Sequence, residues 1–433
     1  MQYFTWGLKV RTGLSLRSPL PFPGETAITF IWKSSTFVED INSIFYIQRM
    51  ILCVLMEFDL SNNTIVTYTP LAGYSLPNLF RMLAQNRFHI SPRYAARFAY
   101  SMALSTIMSP FYIRERVKYD KPTEKTPIEK DPIFIIGHWR CGTTLMHTLL
   151  TRDPQFGYFT TYQTLIPSIF ISGEKLFKPI VVASLPKKRP MDDGDLGADL
   201  PQEDIYALGA LSPYSYYHGW CFPQNIAHYN NYIDFTNASR QTIEDWKDTY
   251  LHLLKKITLF YQGKQLVLKN QDNTGKIPQL LEMFPDAKFI YMYRNPYDVY
   301  MSMLKFMRKV IPLYCVQTPP PLKNVEGHMM HLYSQMTKRY LQDKHLIPAQ
   351  NLVEVQYEHF IAQPLETIST LYTKFKLNGY QEAEPSLKAY LETQKTIQKD
   401  RYTFTDSIKK KIENHWGFAL REYQYACPQE ELC

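Results

Sequence analysis

Residues 132–150 read PIFIIGHWRCGTTLMHTLL. The apolar run Ile133–Ile136 stops at Gly137, and Gly142 opens a helical pattern with Thr143 and Thr144 in its first turn. A strand, a tight loop and a helix N-terminus in that order make a cradle of backbone N–H groups suited to phosphate. The spacing of Gly137 and Gly142 matches a Walker A loop, but Thr143 stands where that loop carries its Lys. The fixed cation sits inside the loop instead, as Arg140. A phosphate loop built this way points away from nucleoside triphosphates and toward another group transfer.

Outward from the loop, short apolar runs alternate with helical stretches. Gln265–Lys269 (QLVLK), Lys288–Arg294 (KFIYMYR) and Leu352–Gln356 (LVEVQ) read as strands. Gln241–Tyr261 and Ile277–Phe284 read as helices, and another helix starts at Pro296. Strands alternating with helices predict an α/β fold of the P-loop type, a three-layer arrangement with a central parallel sheet flanked by helices. Leu76–Tyr119 adds an N-terminal helical extension, with Pro92 opening its second helix, and Asp120–Asp131 reads as a polar linker. Asp153–Gln224, rich in Pro, Tyr and Gly, reads as a long irregular region of the kind that shapes a site. The expected organisation is therefore an upstream extension or misassigned start over 1–55, a helical segment and linker over 56–127, the main domain over 128–421 and a tail over 422–433.

The 433 residues carry 45% apolar and 20% charged side chains, a globular composition. The net charge of +8 is gathered in short clusters such as Lys187-Lys188-Arg189 and Lys409-Lys410-Lys411. These suit an anionic small molecule or a membrane surface, and they lack the stripe expected of a nucleic-acid binder. Six Cys without C-x-x-C spacing signal neither a zinc site nor a redox motif. The simplest setting is a reducing, cytoplasmic one. Phe98–Ile113 is the longest uncharged apolar stretch, short for a membrane span and flanked by Arg97, Arg114 and Arg116. It reads either as a buried helix of the fold or as an interfacial helix in peripheral contact with a membrane.

In an open α/β sheet, ligands sit outside the carboxyl ends of the strands. Three apolar strands end here in a cation: Ile136 runs into the Arg140 loop, Leu268 into Lys269 and Tyr293 into Arg294. Ser302 lies eight positions after Arg294, two helical turns on, where the pair can grip a second phosphate. Taken together, Gly137–Leu145 resembles the 5′-phosphosulfate loop of the PAPS-dependent sulfotransferases, closest to the tyrosylprotein and bacterial branch. Tyr293–Ser302 resembles that family's 3′-phosphate motif, and Leu268-Lys269-Asn270 and Phe284–Ile290 resemble the segments before it. Cys141 replaces the usual Ser.

The resemblance implies transfer of a sulfuryl group from PAPS to a hydroxyl or amine of a carbohydrate, lipid or peptide, without a metal. It implies donor contacts from Arg140, Cys141, Gly142, Thr143, Thr144, Arg294 and Ser302, and stabilisation of the leaving phosphate oxygen by Arg140, Lys269 and the loop amides. Many members carry a His two positions after the strand-end Lys as the base; here that position is Gln271. The base expected instead is Glu203, in Leu200-Pro201-Gln202-Glu203-Asp204, against the plainer reading of a first-turn carboxylate on a helix dipole. His138, bordering the loop, is a further catalytic candidate. His147 reads as structural, and His218 as an acceptor-pocket or core residue. Two other readings remain: a non-catalytic nucleotide-binding protein of the same fold, and a kinase-like phosphotransferase.

Overall fold

The computed structural model describes residues 69–186, 188–189, 194–394 and 402–428; the extension expected over 1–55 lies outside them. Five strands, β1 Ile133–Gly137, β2 Phe156–Gly157, β3 Gln265–Lys269, β4 Lys288–Tyr293 and β5 Leu352–Gln356, form one sheet in the order β2-β3-β1-β4-β5. Every pairing is parallel. Ile135 lies opposite Lys269 on one side of β1 and opposite Ile290 on the other. The chain therefore reverses its direction of winding around β1, and the crevice at that switch point opens over the carboxyl ends of β1, β3 and β4.

All five residues of β1 are buried, as a central parallel strand covered on both faces requires. Its side chains divide by period two between two cores. Ile133 and Ile135 join Val267, Ile290 and Met292 on one face, while Phe134 and Ile136 join Leu268, Phe289 and Tyr291 on the other. The flanking layers hold helices α1 Leu76–Gln85, α2 Ala95–Lys125, α3 Thr143–Leu150, α4 Glu174–Ser184, α5 Asp204–Leu211, α6 Arg240–Phe260, α7 Pro296–Tyr314, α8 Leu322–Asp343 and α9 Asp406–Glu422, with further helices between them.

Two expectations from the sequence are corrected. The helix does not give way to linker after Tyr119: α2 continues through Pro122 to Lys125. A proline so near a helix end forfeits only one backbone bond, and the Thr126 hydroxyl donates to the Pro122 carbonyl at 2.8 Å. The stretch 153–224 is irregular only in part. It holds Thr161–Leu165, α4, α5 and His218–Cys221; most of these are too short to display a 3.6-residue period in the sequence, and α4 carries Pro179 inside it. Thr160 and Gln163 start the first of them with a reciprocal capping box.

Candidate active site

The loop after β1 is held in a conformation that most residues resist. Gly137, Arg140 and Gly142 all have positive φ, at 127°, 70° and 87°. A Cβ at Gly137 would overlap the Met292 carbonyl, and one at Gly142 would overlap the Tyr357 ring. A tight loop of this kind between a strand and a helix N-terminus is the setting of backbone anion-binding concavities. Gly142 then serves as N-cap of α3 with no side chain to bond the first amides, which leaves those donors for a ligand. The Thr274 hydroxyl fixes the loop from outside, accepting from Gly137 N–H at 2.8 Å and donating to Gly137 O at 3.2 Å.

The cation of the loop meets the motif that follows β4. Arg140 Nε donates to Ser302 Oγ at 2.9 Å, and its guanidinium lies 5.6 Å from the centre of the Phe306 ring. Arg294 Nη1 donates to the Arg140 carbonyl at 3.2 Å and its guanidinium stacks 4.5 Å over Tyr357. Asp298 sits 3.5 Å from Arg294 Nη2. Two cationic groups drawn from separate strand ends are thus in contact.

A second cluster lies across the loop. Lys269 Nζ donates to Glu203 Oε1 at 2.7 Å and to Thr144 Oγ1 at 3.1 Å. Gln271 Nε2 donates to the same Glu203 Oε1 at 3.0 Å and to Thr143 Oγ1 at 3.3 Å. The Lys269 side chain is 1% exposed and that of Glu203 11%. Glu203 is the N-cap of α5 but makes no side-chain capping bond; its carboxylate faces Lys269 instead. The next residue, Asp204, turns inward, accepts from Tyr250 Oη at 2.5 Å, and is pushed up to about 7 by burial. Adjacent carboxylates are thereby given different environments, one paired with a cation and one packed away.

The family model described as "Sulfotransferase family" matches residues 132–382, more than half of the chain. The chain belongs to the sulfotransferase family. It is 29% identical over 359 residues, 82% of this chain and 90% of the relative, to the omega-hydroxy-beta-dihydromenaquinone-9 sulfotransferase Stf3 of Mycobacterium bovis, and equally to that of Mycobacterium tuberculosis. Among solved structures, sulfotransferase STF1 of Mycobacterium tuberculosis superposes with a TM-score of 0.58 at 19% identity, covering 88% of this chain and 99% of that one. STF9 of Mycobacterium avium gives 0.59 at 14%, covering 80% and 96%. At such identities the structures establish the shared fold.

Within this sulfotransferase, the candidate residues fall into two connected groups. Arg140, Ser302 and Arg294 form one; Glu203, Lys269, Thr143 and Thr144 form the other, and the loop joins them. Cys141 is buried, and burial pushes its thiol up to about 12, so it presents backbone rather than a thiolate. His138 stands apart from the carboxylate cluster. Its Nδ1 is 3.0 Å from the Trp139 carbonyl, its ring packs edge-on against Trp139 and Tyr333, and burial lowers it to about 4, leaving a neutral imidazole. His147 packs under the loop helix with Nε2 3.3 Å from the Val267 carbonyl. His218 has both ring nitrogens against the Gly209 and Pro213 carbonyls, a core position.

Three residues of the site escaped the sequence reading. Gln271 registered only as the place of a missing His, yet its amide ties Glu203 to Thr143. Thr274 anchors the loop, and Tyr357 stacks on Arg294. Tyr357 had a signal: it directly follows β5, so it too stands at a strand's carboxyl end. Gly142→Ala tests the cradle. Left-handed geometry costs a β-carbon residue roughly 1–2 kcal/mol, and Tyr357 must also move. Urea unfolding is expected to show that loss, together with weaker nucleotide binding.

Proposed function

We propose that this sulfotransferase uses PAPS as donor and a hydroxyl of a lipid as acceptor. The observation that carries the reading is the contact of Arg140 with both Ser302 and Arg294, which makes one continuous site for a nucleotide bearing phosphate at both its 5′ and 3′ positions. The positive-φ loop and the uncapped amides of α3 fit the 5′ end; Arg294 and Ser302 fit the 3′ phosphate. PAPS supplies a sulfuryl group whose leaving oxygen belongs to a phosphate and gains negative charge as the bond breaks.

Arg140, Lys269 and the amides of Gly142–Thr144 are placed to stabilise that charge without a metal ion. Glu203 takes the proton of the acceptor hydroxyl as general base, oriented by the shared bonds from Lys269 and Gln271 to Oε1, which leave its second carboxylate oxygen for the acceptor. Lys269 couples the two tasks, since its ammonium touches both the base and the loop helix. His138, neutral and beside the loop, serves to orient the acceptor.

One feature supports a lipid acceptor: the relatives that match over most of the chain are named for a menaquinone substrate. The free thiols of Cys141, Cys221, Cys315 and Cys427 fit a reducing, cytoplasmic setting. The test is release of PAP from PAPS with a panel of acceptors: a hydroxylated prenyl lipid in detergent, a short oligosaccharide and a tyrosine peptide. Turnover is expected with the lipid. Turnover with the sugar or peptide alone would overturn the acceptor assignment.

A further inference from the structure

Helix α2 packs Phe98, Met102, Leu104 and Phe111 against the core, yet it also buries polar side chains and exposes apolar ones. The residues it buries are largely polar or charged: Arg97, Ser101, Ser105, Glu115 and Thr123, with Met108 and Tyr112 between them. Each of the large ones is claimed by the body of the protein. Arg97 Nη1 donates to the carbonyls of Pro312 and Cys315 at 3.0 and 2.7 Å, at the end of the helix that carries Ser302. Glu115 accepts the N–H groups of Ile171 and Ser172 at 3.2 and 2.8 Å and pairs with Lys256 at 2.9 Å. These bonds fix the rotation of the helix, and they turn its other face to solvent.

That outer face is apolar. Ala99, Ala103, Pro110, Ile113 and Val117 recur at steps of four, seven, three and four residues along it, all exposed, with Ile107 beside them. Ile107, Ile113 and Val117 are 66%, 64% and 81% exposed. The stripe from Ala99 to Val117 is about 27 Å long at the helical rise. Helix α4 widens it: Phe177 meets Phe111 edge-on at 5.0 Å, and Leu176, Ile180 and Val182 are exposed. Phe80 and Phe88 are exposed in and just after α1, which packs against α2. Of nine large apolar side chains exposed among the described residues, eight lie in these three segments. Single exposed apolar residues are ordinary; a gathering of this kind marks an interaction surface.

Charge selects the partner. From Thr69 to Arg114 the chain has no Asp or Glu, while Arg81, Arg87, Arg93 and Arg114 are exposed there, followed by Lys118 and Lys121. The acids nearest the patch are engaged: Asp120 pairs with Arg116 and Glu174 with Lys178. An apolar stripe rimmed by cations suits the headgroup boundary of an anionic bilayer, where the stripe enters the acyl layer and the cations meet lipid phosphates. No described helix is long and apolar enough to cross a membrane. We infer that the outer faces of α2 and α4 form a docking surface that lays the enzyme on an anionic lipid bilayer. The surface stands on its own observations, and it deepens the lipid-acceptor reading by bringing the enzyme to where such an acceptor resides.

The test is flotation of the full chain with phosphatidylcholine vesicles, with and without phosphatidylglycerol, at low and high salt. The variants are Ile113→Glu with Val117→Glu, and separately Arg114→Glu with Lys118→Glu. Wild type is expected to float with the anionic vesicles and to partition at least about tenfold less onto phosphatidylcholine alone. The apolar pair of substitutions should lower partitioning by about tenfold or more at any salt concentration. The charge pair should lower it mainly at low salt. All four positions are exposed and outside the nucleotide site, so PAP binding by calorimetry should be unchanged in both variants. That control also separates this inference from the sulfotransferase reading, which a failure of PAP binding alone would affect. Wild type that stays at the bottom of the gradient overturns the inference, as do variants that float like wild type. A wild-type dimer in sedimentation velocity that Ile113→Glu dissociates, with no flotation, would assign the face to a second copy of the chain instead.

Discussion

Glu203→Gln is expected to lower kcat for sulfuryl transfer by about 10²–10⁴-fold, the range removed with a general base, while leaving nucleotide binding close to wild type. Glutamine is nearly isosteric and keeps an amide oxygen that accepts from Lys269 and Gln271, which now meet at Glu203 Oε1 at 2.7 and 3.0 Å. The fold of α5 should also survive, because the Glu203 side chain makes no capping bond there. What disappears is the capacity to take a proton. The measurement is steady-state PAP release together with calorimetric PAP affinity. A fall in kcat with unchanged affinity supports Glu203 as the base. Turnover within about threefold of wild type would assign the base elsewhere, and His138 would be the next residue to substitute.

Lys269→Ala is expected to reduce both activity and stability. Loss of a preorganised donor to a developing negative charge costs about 10²–10³ in kcat. The ammonium also neutralises Glu203, and the pair is largely buried. Removing one partner of a buried ion pair leaves the other uncompensated, typically at a cost of about 3–5 kcal/mol. Urea denaturation of the single variant should therefore show a clearly lowered midpoint. The double variant Lys269→Met with Glu203→Gln, which removes both charges, should recover most of that stability without recovering turnover. Non-additivity in stability is the signature of a coupled pair; two independent, additive losses would argue that the pair has no energetic link.

The parts of this fold that depend on short-range patterning were readable in the sequence. Ile133–Gly137 is apolar throughout because a central parallel strand is covered on both faces, and it stops at a glycine because the loop needs positive φ. Lys269 and Arg294 were visible because three apolar strands in turn run into a cation; one such end is unremarkable, and three together make an anion site. The site's second layer was less legible. Gln271 acts through two hydrogen bonds to residues 128 and 68 positions away, and no local pattern announces such a meeting. Most of the helices between 153 and 224 were hidden by their brevity and α4 by Pro179 inside it, and β2, only two residues long, carries no strand pattern of its own. The exposed face of α2 was hidden for another reason. Phe98–Ile113 is apolar on more than one side: Phe98, Met102, Leu104, Met108, Phe111 and Tyr112 pack on the core while Ile107 and Ile113 meet solvent, so an apolar stretch alone does not say which face the tertiary bonds of Arg97 and Glu115 turn outward.

The most direct measurement is metal-free calorimetry of PAP binding to wild type and Arg294→Ala. One continuous site spanning the loop and the Arg294–Ser302 motif predicts clear binding by wild type without added metal. It also predicts a loss of about 10–150-fold in Arg294→Ala, the worth of a hydrogen bond to a charged group. Folded wild-type protein that does not bind PAP, or that binds ATP only with Mg²⁺, would contradict it.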